Sequence, residues 1–189
     1  MKRRTSRLAA IGLAAGLVVG GASLASAGHL NPLLEADLDG RSEVSSDAKS
    51  KRIVGDPNGR GEGYVFGIDD DTRGGVVTEN DDTLCYVLIV DGIDELELAP
   101  GNGRMAHIHR GAEGENGPVV ANLAWPQDGQ AADCLSEDEA GKFPTGEAGI
   151  VQDILAHPDE YYFNVHNNEY PGGAIRGQLS EQGHGDHDH

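Results

Sequence analysis

The chain has 189 residues, 32 acidic and 14 basic side chains, and a formal charge of -18 at neutral pH. Such a field repels nucleic acid and anionic lipid headgroups and attracts cations or a basic partner, and it also keeps an exported protein soluble. The length suits one domain with some loop or tail to spare.

The sequence opens with Lys2, Arg3, Arg4 and Arg7, then an apolar run from Leu8 to Val19, then small residues ending Ala25-Ser26-Ala27. That is the pattern of a secretory signal peptide cleaved after Ala27. Its apolar stretch is about a dozen residues, against the roughly 20 that a membrane-spanning helix needs, and no second such run follows. Arg3-Arg4 leaves ordinary and twin-arginine export both open. Cleavage removes four basic residues, so the remaining chain carries 10 basic against 32 acidic side chains, a formal charge of -22.

Beyond the leader, helical periodicity is scarce and turn residues are dense, the whole chain holding 28 glycines. Strands are expected at Leu33 to Leu38, Gly63 to Asp69, Thr83 to Asp91, Arg104 to His109, Pro118 to Leu123, Tyr161 to Asn167 and Gly173 to Ser180, about seven in all. "TLCYVLIV" is apolar on both faces apart from Thr83 and reads as a central strand. Only "EAGIVQDILAHP" offers a short helix, with Ile150, Ile154 and Leu155 on one face and Pro158 stopping it. Many short strands without strand-helix alternation imply an all-β sandwich. Ser42 to Arg60 and Glu181 to His189 are poor in large apolar residues, so a mobile loop and a disordered tail are expected there. Cys85 and Cys134 both lie in the exported part and lack Cys-x-x-Cys spacing, so they read as one structural disulfide.

The segments "LEADLDGRSEV", "GEGYVFGID", "TLCYVLIVDGI", "AHIHRGAEGENGPVVANL" and "YYFNVHNNEYPGGAIRGQL" together resemble the successive motifs of the CHRD (chordin) domain family, over residues 33 to 180. The resemblance implies an immunoglobulin-like Greek-key β-sandwich, exported by bacteria, with a domain at 28–180. In animals the family's module belongs to chordin, an extracellular antagonist that binds bone morphogenetic proteins. It brings no established catalytic activity. Two departures are Ser45, where the family usually has proline, and the acidic insertion "DDDTRGG", which lengthens a turn.

Strand alternation sharpens the picture of a site. In "AHIHR", Ala106 and Ile108 face one side and His107 and His109 the other. In "YYFNVHN", Tyr161, Phe163 and Val165 share the core face, leaving Tyr162, Asn164 and His166 opposite, and in "GAIRGQL" Arg176 and Gln178 oppose Ile175 and Leu179. If these strands are neighbours, His107, His109, Asn164, His166, Arg176 and Gln178 form one polar face. Three readings stand for it. His107, His109 and His166 supply three imidazoles, enough for zinc or copper with an open position. Alternatively, Arg176 and protonated histidines hold an anion or peptide. The plainest reading is a satisfied hydrogen-bond network that fastens the sheet. The His-x-His strand also resembles that of copper-zinc superoxide dismutase, over a short stretch lacking the further histidines and the aspartate of that bimetallic site.

Other stretches carry less. "DPNGRGEG" at 56–63 begins like a calcium loop, but Arg60 and, at the twelfth position, Gly67 exclude an EF-hand. "DDDT" at 69–72 reads as a solvated turn or a weak calcium loop. No Gly-x-Ser-x-Gly or His-Glu-x-x-His motif occurs. The tail "HGDHDH" places His184, His187 and His189 beside Asp186 and Asp188, a composition that binds transition metals or solubilises an end. His29, second after cleavage, lies close enough to the new amino terminus to help chelate copper. These features point to a secreted, non-enzymatic binding module whose partner is an extracellular protein, a peptide or a metal ion, with no nucleic acid and no membrane span. The alternative is a zinc- or copper-binding protein with dismutase-like redox chemistry.

Overall fold

The computed structural model describes residues 32–45, 53–68, 82–93 and 106–181. The leader, His29, the "DDDTRGG" insertion and the tail from residue 182 lie outside them. The described residues form nine strands and one α-helix: β1 (Leu34–Asp39), β2 (Arg60–Ile68), β3 (Thr83–Asp91), β4 (Ala106–Arg110), β5 (Val119–Asn122), β6 (Gln130–Ser136), α1 (Ile150–Ala156), β7 (Tyr161–Val165), β8 (Ile175–Gln178) and β9 (Ser180–Glu181).

The all-β class expected from the sequence holds. Hydrogen bonds run through the strands as one curled antiparallel sheet in the order β5-β4-β7-β8-β1-β2-β3-β6, with β9 pairing β1. They draw no division into two sheets. The seam between β8 and β1 has a single registered pair, Asp39 with Arg176. On either side of it the sheet folds over so that apolar faces meet. A Cβ on Gly63 of β2 would lie 2.5 Å from the Phe163 ring of β7, and one on Gly61 would lie 3.1 Å from Ile175 of β8. Leu34, Val65, Leu84, Leu88, Ile108, Phe163 and Ile175 fill the space between.

Helix α1 closes one end of this core with Ile150, Ile154 and Leu155, the face that the sequence pattern indicates, and with Val151 in addition. Its first turn has no side-chain cap of its own. The Glu137 carboxylate instead accepts the Gly149 and Val151 N–H groups at 2.8 and 2.9 Å.

Four expectations need correction. Strand β6 is additional to those expected, because Gln, Ala and Asp are poor strand formers and only pairing with β3 holds them extended. In β3, Ile89 is 44% exposed, so this strand is not buried on both faces along its whole length. Within Ser42 to Arg60, Glu43 and Asp56 are buried rather than parts of a mobile loop. Asp56 makes the turn into β2 by accepting the Asn58 and Gly59 N–H groups, and its own N–H donates to Ala174 O at 2.8 Å. Glu181, assigned to the tail, pairs with Leu34.

Cys85 and Cys134 face one another directly across β3 and β6, with Cα atoms 4.0 Å apart and the sulfurs bonded.

Candidate metal centre

Register turns the alternation of β4, β7 and β8 into two rows of side chains on the face away from the core. His107, Asn164 and Arg176 stand opposite one another in the first row. His109, Tyr162 and Gln178 form the second. The intervening Ala106, Ile108, Phe163, Val165 and Ile175 are fully buried on the core side. His166 follows β7 with the parity of Tyr162 and Asn164. The pairing of β4 with β5 shifts register between Ile108 and His109, a bulge of the kind that re-aims side chains beside sites.

The three histidines come together. Ring centroids lie 5.5 Å apart for His107 and His109, 5.2 Å for His107 and His166, and 6.4 Å for His109 and His166. One nitrogen from each ring lies within 4.8 Å of the other two. Tetrahedral ligands at roughly 2.0–2.1 Å from zinc are about 3.4 Å apart, so small ring adjustments would bring these nitrogens onto one ion.

Backbone carbonyls fix two of the rings. His109 Nδ1 lies 2.9 Å from Gly117 O, and His166 Nδ1 lies 3.1 Å from Pro171 O. A carbonyl only accepts, so Nδ1 carries the proton in both, leaving the lone pair on Nε2. Both Nε2 atoms are buried and have no hydrogen-bond partner. Burial is the main cause that lowers the pKa of His109, with Arg176 pushing the same way against the Gly117 hydrogen bond. Burial likewise lowers that of His166, opposed by the Pro171 bond and aided by His109. Both rings are thereby held in the neutral, ligating form.

Arg176 and Gln178 differ from the expectation of an open polar face. Arg176 is only 2% exposed. Its guanidinium donates to Glu115 O at 2.7 Å and Ala112 O at 3.0 Å, and its carbon sits 3.4 Å from the centre of the Tyr162 ring. Tyr162 in turn stacks on His109 at 5.0 Å with an interplanar angle of 12°. Gln178 Nε2 donates to the carbonyls of Gly111, Asp159 and Tyr161. The loop from Gly111 to Gly117 thus roofs this part of the sheet, and Arg176 is committed to holding it there. An anion would meet a guanidinium already engaged and two imidazoles biased against protonation.

Beside the rings a cleft of about 440 Å³ is lined by His109, Tyr162, Asn164 and His166, with Val44, Val54, Tyr170 and Pro171 supplying apolar walls. One member of the site was not foreseen in the sequence. Glu43 accepts hydrogen bonds from Asn164 Nδ2 at 3.0 and 3.2 Å, and burial pushes its carboxyl up to about 7 against that bond and the nearby charge of Arg176. The only signal was its place in the "GRSEV" motif, since a Glu among Ser and Arg otherwise reads as solvated.

The described residues thus form a curled all-β domain, stapled by a disulfide and with a roofed histidine cluster on one flank. The chain belongs to the CHRD domain family, whose profile matches residues 34–179. Comparison with curated proteins and with solved structures gave no match.

Proposed function

We propose that this chain is an exported binding module that holds one divalent transition-metal ion, zinc or copper, on His107, His109 and His166. The observation that carries the reading is the pair of buried Nε2 atoms on His109 and His166 with no hydrogen-bond partner, their Nδ1 protons tied to carbonyls, in a cluster where one nitrogen from each of the three imidazoles lies within 4.8 Å of the others. Second-sphere carbonyls that fix the tautomer and aim of a ligating histidine are a regular feature of metal sites. A hydrogen-bond network built only to fasten the sheet would pair those atoms instead.

The test uses the full chain with His184, His187 and His189 changed to Gln, so that the tail does not chelate. It should bind one equivalent of zinc or copper, measured by elemental analysis after gel filtration, and His109→Gln with His166→Gln should abolish it. At a metal concentration about 100 times its dissociation constant, the ion should stabilise the fold by about 2.7 kcal/mol. A tail-substituted chain that takes up no metal would sink the reading. Export through the leader belongs to the same proposal. Secreted protein should begin at Gly28 by mass spectrometry, and an intact Met1 in the secreted product would contradict it.

A further inference from the structure

We infer that the cleft beside the three histidines admits a neutral ligand whose coordinating atom carries hydrogen, an amine or a hydroxyl, and that Asn164 selects it by accepting its hydrogen bond. This rests on the metal reading above, since three protein ligands leave a tetrahedral ion with one open position.

Asn164 is 4% exposed and lines the cleft with His109 and His166. It also stands directly across the strand pair from His107. Its Nδ2 donates to the Glu43 carboxylate, within reach of both oxygens, which orients the amide with Oδ1 on the other side. That Oδ1 is buried and has no hydrogen-bond partner. Burying an acceptor without a partner is destabilising, a penalty that a donor entering the cleft removes.

Charge points the same way. Glu43 lies directly behind the amide and Glu169 lies on the cleft wall. The guanidinium of Arg176 nearby is committed to Glu115 O, Ala112 O and the face of Tyr162. An anion such as a carboxylate would meet a lone pair backed by a carboxylate. An amine or hydroxyl gives its lone pair to the ion and keeps an N–H or O–H for Asn164. The cleft, at about 440 Å³, falls in the size range of small-molecule sites.

The experiment loads the tail-substituted full chain with cobalt(II) and follows its visible absorption during titration with methylamine, ethylene glycol or azide. The first two probe the amine and hydroxyl sources of the same donor chemistry, and azide probes the anion. Either or both of methylamine and ethylene glycol should perturb the spectrum at lower concentration than azide. In Asn164→Leu that preference should shrink by about tenfold, the scale of one net hydrogen bond. Asn164→Thr, which keeps a small polar group, serves if the leucine variant does not fold. Azide binding as tightly as both others in the unsubstituted site would overturn the inference, as would a preference unchanged in both variants. Failure to take up cobalt at all would instead strike the three-histidine reading, and this inference with it.

Discussion

Replacing Cys85 and Cys134 together by alanine should lower the stability of the domain by about 4 kcal/mol, the entropy of closing a loop of some 50 residues in the unfolded chain. The sequence separation that sets this figure is 49. For a domain of this size the melting temperature should fall by roughly 8–16 °C, readable by calorimetry. The loss should begin locally. Strand β6 is an edge strand whose Gln130, Ala132, Asp133 and Cys134 are exposed, and it contributes Leu135 alone to the fully buried core. Its attachment to β3 therefore relies on the ladder and the disulfide. Amide exchange across Gln130–Ser136 should accelerate more than in β7. Equal protection of the two strands in the double variant, or an unchanged melting temperature, would contradict this account.

Glu43→Gln should change how stability depends on pH. The Glu43 carboxyl is raised from an ordinary value of 4.5 to about 7, chiefly by burial. A raised folded-state pKa gives stability that is fully present below about 4.5 and lost as pH climbs through about 7. The 2.5-unit difference corresponds to at most about 3 kcal/mol. Glutamine keeps an acceptor for Asn164 Nδ2 without the buried charge. In metal-free protein at pH 8 the variant should therefore be the more stable chain, by up to about 3 kcal/mol, and at pH 4 the two should converge. His109 and His166 titrate in the opposite sense, since their lowered values give stability present above about 6.5 and lost on acidification. They act equally in both chains and cancel in the comparison. Denaturation curves that stay parallel from pH 4 to pH 8 would refute the assignment.

The core and the histidine cluster were legible because strands β4, β7 and β8 alternate cleanly. "AHIHR", "YYFNVH" and "AIRGQL" each separate apolar from polar side chains by parity, and register then aligns His107 with Asn164 and His109 with Tyr162. What parity cannot report is what lies above a face. The roof from Gly111 to Gly117 and the burial of Glu43 come from loops, whose Gly, Glu and Asn residues look solvated in sequence. Hence Arg176, which parity placed among accessible polar groups, is a packed strut beneath a loop. Strand β6 was hidden for another reason. "QAADCLS" has neither alternation nor β-branched residues, and its conformation is imposed by β3.

The short β9 strand fixes how the domain would carry tension. Leu34 pairs with Glu181 and Glu35 with Ser180, so the chain enters and leaves side by side on antiparallel neighbours. A pull applied at these two points peels their bridging hydrogen bonds apart in succession instead of shearing them all at once. Strung between two anchors, the domain would yield first at this join and pay out its ends under modest load. The disulfide, which spans β3 and β6 on the far edge of the sheet, would leave Cys85 through Cys134 as a closed loop that does not lengthen.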